Sequence, residues 1–75
     1  MSQIQADNPI RQIRSHLKLT QAALARKVGV TIGAVYLAER GGILRPRRII
    51  SGLGRLGFDA AALEADYSAW LQAAV

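Results

Sequence analysis

At 75 residues the chain has room for one small domain. A domain of that size buries only about 60% of the surface its unfolded chain exposes, so burial against a partner is worth expecting. The absence of cysteine and the single histidine, His16, exclude disulfides and a cysteine zinc site, and leave no side-chain set for a metal, a cofactor or an enzyme centre. Ten Lys and Arg against five Asp and Glu give a net charge of +5, which points to a polyanion, most simply nucleic acid, or else to a surface charged for solubility.

The charge is unevenly spread. Residues 1–58 carry all ten basic residues with only Asp7 and Glu39, a net +8, while residues 59–75 carry Asp59, Glu64 and Asp66 and no base, a net −3. No apolar run approaches the roughly 18 residues of a membrane span, and MSQIQADNP lacks the basic and apolar regions of a signal peptide. A cytoplasmic chain without membrane contact is expected.

The pattern is all-α, with five short helices and no strand signal. Residues 1–7 read as a flexible N-terminus. Asn8 is a favoured N-cap and Pro9 a favoured first helical residue, because its missing N–H has no helical partner there anyway. Ile10, Ile13 and Leu17 recur at helical spacing with Arg11, Arg14 and Lys18 between them, which predicts a helix over 9–18. Thr20 caps a second helix over 21–28, although Ala23 stands where a full capping box would have Glu or Gln. Leu24, Ala25 and Val28 supply its apolar face, and Gly29 ends it as a left-handed residue. Val30 follows as a buried turn residue. Thr31 caps a third helix over 32–40, stopped by Gly41 and Gly42. A fourth opens at Pro46 and runs to Leu56, with Ile49, Ile50, Leu53 and Leu56 on one side and Gly57 as its stop. Gly52 and Gly54 inside it each cost about 0.8–1 kcal/mol relative to alanine, so it has the weakest propensity. Asp59 caps a fifth helix over 60–73, where Leu63, Tyr67, Trp70 and Ala74 make an apolar stripe.

Two short helices joined by Gly29-Val30-Thr31 are the physical core of a helix-turn-helix. Ala25 must be small because the second helix crosses close above it. Gly29 must take a positive φ to turn the chain sharply. Val30 and Val35 fill the angle between the helices, and the second helix projects its N-terminal half outward. With LTQAALARKVGVTIGAVYLAERGG followed by RPRR, the chain resembles the phage Cro and repressor type of helix-turn-helix, also described as lambda-repressor-like or XRE-type. The resemblance spans residues 9–63.

That resemblance implies a DNA-binding core over 8–58 in a small homodimeric, repressor-like transcription regulator. Such a regulator is bacterial or phage-encoded, is associated with the nucleoid and places its third helix in the major groove. It also implies that Gln21 bonds a DNA phosphate and that Arg14 and Glu39 form a structural ion pair. Arg45-Pro46-Arg47-Arg48 matches an Arg-Pro-Arg segment that touches the DNA backbone in some repressors of this type. The chemistry agrees, since guanidinium forks pair with phosphate and the N–H groups at the start of the fourth helix point the same way. Arg40 would join them. Contacts of this kind supply affinity without sequence information. The plainer alternatives are a surface glutamine and a solvent-facing basic turn.

The third helix departs from the family pattern. Where relatives carry Gln, Arg, Asn, Ser or Lys, this chain offers Ile32, Gly33, Tyr36 and Leu37, and only Thr31 and Tyr36 can hydrogen-bond to a base. Three readings stay open. The face could read thymine methyls, the contacts of Tyr36 and DNA shape. Binding could be largely electrostatic. Or the helix could hold a protein, because exposed Ile, Tyr and Leu resemble an interface core.

The fifth helix lacks bases and is apolar on more than one side. Leu63, Tyr67, Trp70 and Leu71 are the candidate dimer interface, against the alternative of a lid over the first and fourth helices. The function expected first is sequence-specific binding of double-stranded DNA. The alternative is a protein-binding module, such as an antitoxin or accessory factor, with weak or non-specific DNA binding.

Overall fold

A computed structural model of the chain describes residues 7–74, with the side chains of residues 7–73. The expected flexible stretch 1–7, apart from Asp7, and the side chain of Ala74 lie outside the described residues. Within them there are five helices and no strand: α1 Pro9–His16, α2 Gln21–Val28, α3 Ile32–Arg40, α4 Arg47–Arg55 and α5 Ala60–Ala74. α2 packs on α3 and α4, and α5 closes the bundle against α1 and α4. Ile10, Leu24, Val35, Ile49, Leu53 and Tyr67 are the largest fully buried side chains. No helix among the described residues is long and apolar enough to cross a membrane.

The caps are local and follow the sequence. Thr20 and Thr31 each accept from the backbone three residues on, at Ala23 and Ala34, both at 3.1 Å, and Asp59 does the same for Ala62. Asn8 does more. Its Oδ1 accepts from the N–H groups of Ile10 and Arg11, while its Nδ2 donates to the Ala38 carbonyl at 2.9 Å. The cap of α1 is thereby a buried strut to the last turn of α3.

Four helix ends share one closure. After α2, α3 and α4 the chain turns through Gly29, Gly41 and Gly57 at positive φ, and the following N–H reaches back five residues, as from Val30 to Ala25 at 2.9 Å. α1 closes in the same way, from Leu19 to Arg14 at 3.1 Å, but its turning residue is Lys18 at φ 58°. So α1 stops at His16 rather than at residue 18, and a residue with a Cβ carries the left-handed position. α4 is also shorter than the expected 46–56. Pro46 stands just outside it at ψ 67°, and Leu56 follows its last residue and is exposed, not core. Val30 is half-buried rather than buried.

Gly52 explains how α4 joins the core. A Cβ built there would lie 2.4 Å from the Val28 Cβ and 2.9 Å from its Cα. The residue that weakens α4 by propensity is the one that lets it lie against α2.

The stripe expected at a dimer interface is instead committed to the chain's own core. Leu63 and Tyr67 are buried. The Tyr67 hydroxyl lies within hydrogen-bond distance of two carbonyls, Ile43 at 2.6 Å and Ala38 at 3.1 Å. Trp70 and Leu71 are half-buried and cover Gly41, whose added Cβ would be 3.2 Å from each. The reason is size: four helices of eight or nine residues cannot enclose a core by themselves, and α5 supplies the missing wall.

Candidate nucleic-acid interface

Thr31 starts α3 in extended backbone, φ −79° and ψ 157°, with its Oγ1 accepting the Ala34 N–H. The helical period then sends Val35 and Ala38 into the core and leaves Thr31, Ile32, Gly33, Tyr36, Leu37 and Arg40 outside. Ile32 is 53% exposed and Tyr36 and Leu37 are each 46% exposed. The expected groove face is thus one continuous outer surface.

Tyr36 does not hang free on it. Arg40 lies one helical turn on, its Nη1 donating to the Tyr36 hydroxyl at 2.6 Å and its guanidinium carbon 5.4 Å from the ring centroid. Arg40 is therefore tied to the outer face of α3 as well as being a candidate for phosphate.

Behind the face lies a buried polar chain. Arg14 forks onto Glu39, Nε to Oε2 at 2.6 Å and Nη2 to Oε1 at 3.0 Å, and its Nη1 donates to the Leu19 carbonyl at 3.0 Å. The Glu39 side chain is 6% exposed, so the pair ties α1 to α3 out of water. The bond from Glu39 outweighs partial burial and pushes the Arg14 guanidinium further above its ordinary value. Gln21, the expected phosphate contact at the start of α2, is half-buried. Its Nε2 donates to Glu39 Oε1 at 3.1 Å. That bond uses one of the two amide hydrogens and sets the side chain against the same carboxylate.

Arg45, Arg47 and Arg48 are exposed and Pro46 is buried between them. The start of α4 has no side-chain cap, and its first N–H, that of Arg47, donates back to the Arg45 carbonyl at 2.8 Å, so the donors at this end that an anion could meet are those that follow it. Arg45, Arg47 and Arg48 line an open concavity of about 380 Å³ with Gly29, Thr31 and Ala34, so the basic segment borders the turn that launches α3. A second concavity of about 420 Å³ is lined by Arg47, Arg48, Ser51 and Arg55 beside Val28 and Gly29. Ser51 and Arg55 escaped the sequence argument. Their signal is spacing: Arg48, Ser51 and Arg55 recur on the face of α4 away from Ile49, Ile50 and Leu53.

Among the described residues Arg14–Glu39 is the only ion pair, so these arginines carry uncompensated charge. Another concavity, about 820 Å³, is elsewhere: an open groove between Leu44–Arg47 and α5, floored by Ile50 and Tyr67 and edged by Glu64. Leu44 on its rim is 76% exposed. Comparison with protein-family models, with curated proteins and with solved structures finds no match for this chain.

Proposed function

We propose that the protein binds double-stranded DNA as a repressor-like helix-turn-helix regulator, with the first turns of α3 in the major groove and arginines on the flanking phosphates. The observation that supports this best is the shared surface on which Gly29, Thr31, Arg45, Arg47 and Arg48 meet, with no acid among its lining residues. It puts a protruding helix beside a ridge of fixed positive charge, the pair of features that a duplex groove and its phosphate rim require. Arg40, Arg45, Arg47 and Arg48 hold the backbone; Thr31, Ile32, Gly33, Tyr36 and Leu37 face the bases. Two copies on a near-palindromic site would set their α3 helices about 34 Å apart. With Leu63 and Tyr67 inside the core, a contact between copies falls to Leu44 and the exposed alanines of α5.

Arg55, which lines the second concavity with Arg47 and Arg48, adds a fifth contact, and five phosphate contacts per protomer correspond to a slope of log affinity on log salt of about −4.5. Mobility shifts with a random duplex pool at two salt concentrations test the proposal. Enrichment of a palindrome supports specific reading, and uniform binding with a steep salt slope leaves only phosphate contacts. No binding at low salt refutes it.

One observation favours a second reading. Ile32, Tyr36, Leu37 and Leu44 are large apolar side chains left exposed, a composition suited to holding a protein partner. That reading predicts DNA binding that is weak and indifferent to substitution at Leu37.

A further inference from the structure

The hydrogen-bonding groups on the α3 face include a hydroxyl that a neighbouring cation sets up to donate. A hydroxyl has one proton to give and two lone pairs to accept with. Thr31 Oγ1 already accepts from the Ala34 N–H at 3.1 Å, and Tyr36 Oη already accepts from Arg40 Nη1 at 2.6 Å. In both cases the proton remains free to donate outward. At Tyr36 the donor is a cation, which repels any further N–H and polarises the hydroxyl as a stronger donor. Arg40 itself can only donate. The neighbours Ile32, Gly33 and Leu37 present no polar side-chain atom. Tyr36 and Arg40 are therefore donors towards a base edge, while Thr31 Oγ1 keeps a second lone pair and can also accept.

Resting on the DNA-binding proposal above, we infer that the Tyr36 hydroxyl, held by Arg40, acts as a donor in the groove and disfavours cytosine, the one base without a major-groove acceptor, at the position beneath it. In the major groove guanine shows acceptors at N7 and O6 and thymine an acceptor at O4, whereas cytosine shows a donor at N4 and adenine a donor at N6 beside its N7. Guanine, thymine and, through N7, adenine can each take the Tyr36 proton and cytosine cannot, so the hydroxyl discriminates against cytosine. Ile32 and Leu37 lie on either side of Tyr36 on the same surface and are exposed, so the C5-methyl of thymine finds apolar contact there and tips neighbouring positions towards thymine.

The test is selection of bound duplexes from a random pool by the wild-type protein, Tyr36→Phe and Arg40→Ala. Tyr36 is an exposed side chain, and phenylalanine keeps the ring beneath Arg40, so the variant retains the fold. The wild-type motif is expected to hold one position where cytosine is depleted about fivefold relative to the other bases, the worth of one hydrogen bond. Tyr36→Phe flattens that position and leaves the rest of the motif in place. Arg40→Ala frees the hydroxyl to accept and admits cytosine there, apart from any general loss of affinity. A motif unchanged in Tyr36→Phe overturns the inference, as does a flattened position that was rich in cytosine. A wild-type pool with no motif at all overturns specific reading itself, and this inference with it.

Discussion

Replacing Gly52 by alanine sets two opposed effects against each other. Alanine in a helix interior is favoured over glycine by about 0.8–1 kcal/mol, and by that measure the change stabilises α4. The packing says otherwise. The new methyl would lie 2.4 Å from the Val28 Cβ and 2.9 Å from the Val28 Cα, where carbon contacts settle at about 3.5–4.0 Å. Because one of the obstructing atoms is backbone, rotating a side chain gives no relief. α4 must lift from α2 by about 1 Å, loosening Ile49 and Leu53 in the core, and overpacking of this kind costs about 1–3 kcal/mol. Taking the upper end and subtracting the gain in propensity leaves a loss of about 2 kcal/mol. A domain of this size has about 4–11 kcal/mol in all, so the loss is a large share and corresponds to a fall in Tm of about 8–16 °C. Gly33→Ala is the internal control. It is helical too but, unlike Gly52, exposed and in the first turn of its helix, and a Cβ there would meet only Thr31 Oγ1 at 3.9 Å, so propensity acts alone and stability rises by up to about 0.8–1 kcal/mol. Urea and thermal unfolding of the three proteins decide the matter. A Gly52→Ala variant as stable as wild type would show that α4 does not depend on contact with Val28, and the reasoning would fall. The same displacement moves Arg47 and Arg48 away from Gly29, so DNA affinity should drop alongside stability.

Tyr67→Phe removes the hydroxyl that reaches the Ile43 and Ala38 carbonyls and should cost about 1–2 kcal/mol at neutral pH. Burial holds the Tyr67 phenol above its ordinary value of 10.0, so the unfolded chain ionises first. Wild-type stability should be level below that value and fall as pH rises from it towards the folded-state value, and Tyr67→Phe should lose that part of the slope; identical alkaline profiles would count against burial of the hydroxyl. Arg47→Ala and Arg55→Ala should each weaken DNA binding to all sequences alike and lower the salt slope by about 1. An unchanged slope for Arg55→Ala would remove the concavity on α4 from the interface. Lys18→Gly relieves the left-handed residue after α1 and should raise stability by about 0.5–1 kcal/mol in urea unfolding, with no gain if φ 58° carries no strain.

The elements of this fold were legible because their signals are local. A cap joins a side chain to an N–H two or three residues on, and a Schellman closure needs one left-handed residue. Asn8, Thr20, Gly29, Thr31, Gly41 and Asp59 therefore mark helix ends whatever surrounds them. Lys18 escaped the same rule because its side chain carries no such mark. The outer face of α3 was legible too, since helical periodicity assigns Val35 and Ala38 inward and Ile32, Tyr36 and Leu37 outward together. Tertiary structure decided the rest. Leu63 and Tyr67 read equally well as an interface or a core, and only the space left between α1 and α4 settles that they are core. Gly52 reads as a weakness until α2 is laid against it. Gln21 reads as a free amide until Glu39 arrives from eighteen residues away, and Arg55 joins Arg47 only through the course of α4 beside Gly29. Periodicity reports which residues share a side of a helix; what stands opposite that side depends on chain crossings between residues far apart in sequence, and those follow only from the assembled core.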